Sequence, residues 1–395
     1  MVTDRQLFLN NLAQTSDSPL ALEITKAEGI YLFDSSGKRY IDLISGISVS
    51  NIGHRHPAVI KAIKDQADKY LHLMVYGEYI QAPQVRLAAE LAALLPESLN
   101  NCYFVNSGSE AVEGALKLAK RYTGRKKIVY FNHAYHGSTH GSLSVMGNDS
   151  YQLAFGPLLP GVNRIEFNSL DSLNVISSET ACVIVEPVQG EAGIIAGTQE
   201  FIRALRKRCN ETGTLLVFDE IQTGLGRTGT MFAFEKYKVV PDILLLAKGL
   251  GGGMPIGAFI SSREIMHSLA FNPVLGHITT FGGHPVSCAA ALATIGVIIE
   301  EKLADSVDTK SRLFVELLEQ NPSIRQIRSA GLLIALQLDN YDHVKKVIDN
   351  CIENGVITDW FLFNDSSIRI APPLTITEEQ IRVACSVILN ALRTN

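Results

Sequence analysis

Three short stretches bring ionisable side chains to the ends of apolar runs. In DILLLAKGLGGGMPIG, Asp242 to Gly257, the run ends in Lys248 and glycines follow at once. Burial at the end of a strand penalises an ammonium ion. The amine's pKa then falls from its ordinary value of about 10.4, and the neutral nucleophile becomes available. In LLVFDEIQTG, Asp219 and Glu220 end a second run. A carboxylate there caps a helix, holds a metal or partners a buried cation. In CYFVNSGSEAVEG a third run passes into Asn106, Ser107, Gly108 and Ser109, and then into helical text. Ser107 and Glu110 have the spacing of a capping box. The free N–H groups of such a helix start attract an anion, which Gly108 lets approach closely.

Each stretch alone has an ordinary explanation: a lysine that snorkels to solvent, a loop carboxylate, a capped helix. Nucleotide readings fit poorly. A P-loop carries its lysine after the glycines, whereas Lys248 precedes them. GLGRTG, Gly224 to Gly229, satisfies the dinucleotide pattern GxGxxG. Yet Glu220-Ile221-Gln222-Thr223 separate it from the strand it should follow, which weighs against a nicotinamide-dependent dehydrogenase. Taken together, a phosphate cradle, an acid for a ring nitrogen and a lysine for an aldehyde describe the protein's part in holding pyridoxal 5′-phosphate.

The surrounding text supplies elements to carry these groups. From about residue 100, short apolar runs recur at 102–105, 127–131, 181–186, 214–220 and 242–248. Helical text such as EAVEGALKLAKRY and TQEFIRALRKRCNETG lies between most of them. Fully apolar strands alternating with helices predict a parallel sheet covered on both faces, with ligands at the carboxyl ends of the strands. Upstream, GIYLFDSSGKRYIDLIS reads as two strands around the turn Asp34 to Gly37, and helices are predicted near 57–70 and 84–95. Downstream come helical text over 300–320, a strand over 331–338, the helix DHVKKVIDNCIENG, the strand SIRIA and a last helix from Glu378. The expected organisation is an N-terminal segment, 1–50, packed with the small domain, then a large cofactor-binding domain, 51–298, and a small C-terminal α+β domain, 299–395.

The ordered set NSGSEAVE, AYHGS, VEPVQGEAG, FDEIQTGLGRTG, LAKGLGGGMPIGA and TTFGGHPVSCAAA resembles the class III aminotransferases of the fold-type I pyridoxal phosphate enzymes. Within them it is most similar to the acetylornithine/ornithine group, over nearly the whole chain. The resemblance implies an α/β fold: a large domain with a mostly parallel sheet covered by helices, plus a small α+β domain. It assigns Lys248 as covalent anchor and proton shuttle, and Asp219 as the partner of the pyridinium nitrogen. Gln222 matches the partner of the phenolic oxygen, and Tyr135 the aromatic stacked on the ring. Ser107, Gly108 and Ser109 match the phosphate cradle. Thr280 matches a threonine that reaches the phosphate from a neighbouring subunit, which implies a homodimer with shared active sites.

On the substrate side, Arg369 matches an arginine that clamps a carboxylate. Glu191 matches the gate that pairs with it while an ω-amine enters. Ser138 and Thr279 complete the implied substrate-contacting set. The expected donor is an acetylornithine- or ornithine-like ω-amino acid, the acceptor a 2-oxo acid such as 2-oxoglutarate, and the mechanism ping-pong. One departure bears on this. The acetylornithine, ornithine and 4-aminobutyrate enzymes usually read HGRT where this chain reads His136-Gly137-Ser138-Thr139, and the missing arginine normally binds a distal carboxylate. Amine–pyruvate relatives often read HGST. The departure raises the weight of those relatives, and the alternative is a 4-aminobutyrate/β-alanine or an amine–pyruvate aminotransferase of the same class. Arg55, in GHRHP, is either a substitute clamp or a surface residue; Tyr76 is either pocket wall or core; Arg227 braces its loop.

Composition sets the outer limits. Of 395 residues, 46% are hydrophobic and 19% charged, which leaves ample core. The formal net charge of -5, with no block of like charges standing out, gives nucleic-acid binding no electrostatic support. The six cysteines are scattered without a CxxC pair, as in a reduced, cytoplasmic protein, and the histidines lack metal-ligand spacing, so no metal is expected. The N-terminus lacks the apolar core of a signal peptide, and no run of apolar residues is long enough to predict a membrane span.

Overall fold

The computed structural model describes residues 2–393. Its central sheet has seven strands. In spatial order they are Asn101–Val105, Gly257–Ser261, Ile243–Leu246, Leu215–Asp219, Thr180–Val185, Lys127–Phe131 and Val162–Ile165. Six of these run in one direction, five of them paired in parallel. Gly257–Ser261 runs antiparallel to both its neighbours. The sheet is thus mostly parallel, as expected, with one reversed strand that the sequence hid. GAFIS is short and follows directly on a glycine-rich turn, so it carries no period of its own.

Alternation along each strand feeds two separate cores. Ile128, Val217, Ile243 and Phe259 join Ala111, Ala115 and Leu118 of the helix Gly108–Thr123 on one face. Val129, Leu216, Leu244 and Ile260 join Phe201 and Leu205 of the helix Gln199–Thr212 on the other. The first helix sits very close to the sheet. A Cβ on Gly114 would lie 2.3 Å from the Phe259 ring, so glycine is required there.

The N-terminal hairpin forms as read. Tyr31–Asp34 and Arg39–Asp42 pair antiparallel, and the Asp34 carboxylate accepts the amides of Ser36 and Lys38, both at 2.9 Å, to close the turn. Its outer edge is completed in parallel by Val356–Ile357 from the C-terminal part of the chain. That part builds its own antiparallel sheet, in the order Gln326–Ser329, Ile334–Gln337, Asn364–Ile370, Asp359–Phe361. The helix expected over 300–320 spans only Val307–Leu318. Lys302 takes a left-handed φ of 51° and ends the preceding long helix, Pro285–Glu300.

Candidate active site

The lysine stands just past its strand. Ile243–Leu246 ends, Ala247 is extended, and Lys248 opens a 3-10 turn, Lys248–Gly251, with a left-handed φ of 42°. A non-glycine residue in that region is strained, and the turn holds it because its neighbours leave no slack. A Cβ on Gly249 would come 2.5 Å from Asn51 Nδ2, and one on Gly252 2.2 Å from Thr294 Oγ1. Lys248 lines two adjoining cavities of about 390 and 480 Å3, and Tyr135 is shared by both. Burial pulls the Lys248 amine down to about 8, and Glu191 opposes this only in part.

The carboxylate end of the ~390 Å3 cavity is built from Asp219, His136 and Glu186. Asp219 closes its strand and is buried. Its Oδ2 lies 2.7 Å from His136 Nδ1, and its Oδ1 accepts the Ile221 amide at 3.0 Å. His136 Nε2 is buried with no protein partner among the described residues. The Glu186 carboxyl accepts the amides of Tyr135 at 2.8 Å and Gly190 at 3.1 Å, and burial pushes it up to about 7. Glu220, beside Asp219, turns to the opposite face. It accepts the amides of Ala233 at 2.5 Å and Phe234 at 2.7 Å, and burial pushes it up to about 8. Only Asp219 of that pair lines the cavity.

The anion end is the start of the helix Gly108–Thr123. Ser107 is its N-cap, and its hydroxyl accepts the Glu110 amide at 3.2 Å. The second half of the expected capping box differs. The Glu110 carboxylate reaches past Ser107 to accept the Asn106 amide at 2.7 Å and Asn106 Nδ2 at 2.8 Å. The first helical bond runs from the Ala111 amide to Ser107 O. The amides of Gly108 and Ser109 precede it and border the cavity. Gly137, with φ of 122°, lets the next loop approach; a Cβ there would lie 2.2 Å from Ser109 Oγ.

The second cavity holds an ion-pair cage. Glu191 and Arg369 are both buried and pair in bidentate fashion, Nη1 to Oε1 at 3.0 Å and Nη2 to Oε2 at 2.9 Å. Glu191 also accepts from Gln222 Nε2 at 2.9 Å and the Leu362 amide at 3.1 Å. Burial pushes the Glu191 carboxyl up, and the Arg369 charge and hydrogen bonds outweigh it, so the group stays below its ordinary value. Arg369 Nε lies 3.0 Å from Asp359 Oδ1, Nη2 donates to Trp360 O, and Phe361 packs under the guanidinium. Burial pushes Asp359 up to about 6, against the pull of Arg369.

The remaining residues singled out in the sequence lie apart from these walls. Ser138 is exposed, its hydroxyl 3.5 Å from Tyr135 Oη. Thr279 Oγ1 accepts from Asn106 Nδ2 at 3.0 Å and lines neither cavity; Thr280 is exposed and lines neither. Arg55 is exposed, and Tyr76 is half-buried away from both. Arg227 does more than brace its loop. Fully buried, it donates to Leu332 O, Pro372 O, Ser45 Oγ and Asn51 Oδ1, tying the N-terminal segment to the C-terminal sheet. Sequence reasoning missed His136, Glu186 and Asp359. Glu186 closes the run ACVIVE just as Asp219 closes its own, so a signal existed; Asp359 follows a single threonine after a two-residue strand and carries none.

The profile of the family described as aminotransferase class-III matches residues 12–392. The chain belongs to the class-III aminotransferases. This aminotransferase is 41% identical to the acetylornithine aminotransferase of Archaeoglobus fulgidus, over 93% of this chain and 94% of that protein. It is 37% identical to the acetylornithine aminotransferase of Methanopyrus kandleri, over 99% of each. Among solved structures, it superposes on the ornithine aminotransferase of Toxoplasma gondii with a TM-score of 0.91 at 31% identity, covering all of this chain and 95% of that one. In that crystal pyridoxal phosphate occupies the active site in part. Class-III aminotransferases are pyridoxal phosphate enzymes, and this one is a pyridoxal phosphate-dependent transaminase. The residues present fit that group: one amine with a lowered pKa, one buried carboxylate held by a histidine, and unpaired helix-start amides around a single cavity. Among the described residues no helix is long and apolar enough to cross a membrane.

Proposed function

We propose that this aminotransferase moves the terminal amino group of an ω-amino acid, acetylornithine- or ornithine-like, to a 2-oxo acid such as 2-oxoglutarate, in the two half-reactions of a ping-pong cycle. The observation that carries the reading is the buried Glu191–Arg369 pair in the wall of a cavity shared with Lys248. A charge that two alternative carboxylates can claim lets one site accept two unlike molecules.

When bound, pyridoxal phosphate supplies an aldehyde carbon that takes up the amino group and a ring that spreads the charge left on the substrate. The chain's own groups do the rest. Lys248 Nζ, with its lowered pKa, would anchor the cofactor's aldehyde carbon and would hold and move a proton at the substrate carbon. Asp219 holds the ring nitrogen, and His136 keeps the Asp219 carboxylate in place. Gln222 and Tyr135, which line the same cavity, would hold the phenolic oxygen and the ring. Ser107, Gly108 and Ser109 hold the phosphate at the helix start. Glu191 covers Arg369 while the ω-amine donor is present, then yields it to the carboxylate of the 2-oxo acid. Ser138 lies at the rim of the donor's path, beside Tyr135.

Thr280 is exposed between Ile278 and Phe281, which are exposed too. This supports a homodimer in which Thr280 and the adjacent Thr279 serve the partner's site. A reduced, cytoplasmic protein is the compartment that fits six free cysteines.

A second reading has its own support. Besides Lys248, Arg369 is the single cationic side chain lining the substrate cavity among the described residues. A dicarboxylate acceptor needs a second cation. A simple amine, 4-aminobutyrate or β-alanine as donor with pyruvate needs only one. Rates with acetylornithine, ornithine, 4-aminobutyrate, β-alanine and a simple amine, each against 2-oxoglutarate and pyruvate, decide between the readings. Turnover only with pyruvate would overturn the first. Lys248→Ala is expected to abolish turnover with every pair; retained turnover would refute the role given to Lys248.

A further inference from the structure

The sequence around the end of the helix Gly108–Thr123 reads KLAKRYTGRKK, and the fold gathers its charges more tightly than their spacing suggests. Lys117, Lys120, Arg121, Arg125 and Lys126 line one cavity of about 440 Å3, far from Lys248 in the chain and sharing no residue with the active-site cavities. No aspartate or glutamate lines it. None of these five cations has an ion-pair partner among the described residues, although Lys127, the next residue, pairs with Glu179. That is an unusual concentration in a chain of net charge -5.

Two of the charges are fixed in place. Arg121 donates through Nε to Ser268 O at 2.6 Å and through Nη2 to Asn272 O at 2.7 Å and to Phe271 O. Arg125 donates through Nη1 to Thr180 O, Thr212 O and Gly213 O. Carbonyl oxygens hold a guanidinium still without cancelling its charge. On the same helix face, Lys117 Nζ lies 2.8 Å from His277 Nδ1. An ammonium donates to that nitrogen only when it is unprotonated, so the imidazole is neutral there. Glu110 and Glu113 act on His277 from the same helix, but both are engaged elsewhere. Glu110 bonds Asn106, and Glu113 accepts from Thr139 Oγ1 and the Gly141 amide. The helix C-terminus favours cations, which accounts for Lys120 and Arg121 as ordinary dipole partners. Its charge of about half an electron does not offset five cations, and Arg125 and Lys126 lie beyond the helix.

We propose that this cavity binds a small anion with clustered phosphates, such as free polyphosphate or the triphosphate of a nucleotide. Its volume lies in the range of small-ligand sites. The two anchored arginines supply planar donors suited to phosphate, and the three lysines supply mobile charge.

The test uses the holoenzyme, whose cofactor phosphate site is already filled, titrated calorimetrically with inorganic tripolyphosphate and with ATP in 150 mM potassium chloride. Saturable binding is expected for tripolyphosphate at one site per chain, without change in the visible spectrum of the bound cofactor. ATP binding more tightly supports a nucleotide occupant, and equal affinity supports the phosphates alone. The Lys117→Gln/Lys120→Gln/Lys126→Gln variant is expected to weaken binding at least about tenfold with transaminase turnover retained. Lys126→Glu alone, at an exposed position, gives the same direction should the triple variant fold poorly. No saturable heat, undiminished binding in both variants, or binding to a DNA duplex but not to tripolyphosphate would each overturn the proposal.

Discussion

Glu191→Gln separates a gate from a permanent brace. Glu191 accepts two charge-assisted hydrogen bonds from Arg369 and two more, from Gln222 and the Leu362 amide. Hydrogen bonds to charged groups contribute about 1.5–3 kcal/mol each. A 2-oxo acid that takes Arg369 must first displace both. Its own carboxylate restores them, so the cost falls on reorganising Glu191. Glutamine keeps the shape, offers Arg369 a single neutral acceptor and releases the arginine more easily. The saving is about 1.5–3 kcal/mol, which corresponds to a fall in KM for the oxo acid of roughly 10- to 100-fold. The donor half-reaction moves the other way. An uncovered Arg369 captures the donor's own carboxylate and misplaces its terminal amine, so kcat/KM for ω-amino donors drops. The assay is initial rates on the holoenzyme, with donor and acceptor varied separately. Thermal stability is expected to fall modestly, because Asp359 still faces Arg369. If stability falls while KM for the oxo acid is unchanged or higher, the pair is structural and the gate reading fails.

Three further outcomes follow from the same geometry. Apoenzyme should capture pyridoxal phosphate faster as pH rises through about 8, where burial places the Lys248 amine, since the unprotonated form is the one that attacks; a stopped-flow profile flat from pH 7 to 9 would contradict this. Ser138→Arg places a cation beside Tyr135, at the rim of the cavity that Arg369 lines, so the preference for 2-oxoglutarate over pyruvate should rise at least about tenfold, measured as a ratio of kcat/KM values; an unchanged ratio would remove Ser138 from the substrate path. Asp359→Ala should raise KM for the oxo acid about tenfold while leaving kcat with saturating substrates near its starting value, because it frees the Nε side of Arg369 without touching the cofactor cavity.

Strand-end chemistry was legible because apolar runs make their polar terminators conspicuous. Lys248, Asp219 and the Asn106–Ser109 turn all border one cavity, although they come from three strands that are distant in sequence. The reach of side chains was less legible. Glu110 has capping-box spacing, but which backbone amide it meets depends on the turn before the helix. Adjacent carboxylates cannot be told apart by text alone; strand alternation sends Asp219 to the cavity and Glu220 into the opposite core, against the amides of Ala233 and Phe234. Asp359 meets Arg369 only through pairing of two C-terminal strands, a register that no local pattern encodes. The cluster around Lys117 is spread over helix and loop. A net charge averaged along the chain conceals it, and the expectation that no block of like charge stands out is corrected at that point.

The reversed strand Gly257–Ser261 orders events in time. It lies between Asn101–Val105, which leads into the phosphate loop, and Ile243–Leu246, which leads to Lys248. A Cβ on its first residue, Gly257, would sit 2.2 Å from Ser107 O, so the strand packs directly against that loop. As the chain leaves the ribosome, Asn101–Val105 must wait unpaired until the much later strand arrives, a non-local closure that is slow by nature. Asn106–Ser109 and Lys248 both emerge before it, but the strand that lies between theirs is not yet in place. Gly257–Ser261 is the last strand of the central sheet to be made, and its place between the two site-bearing strands makes the cavity they border a non-local product of folding.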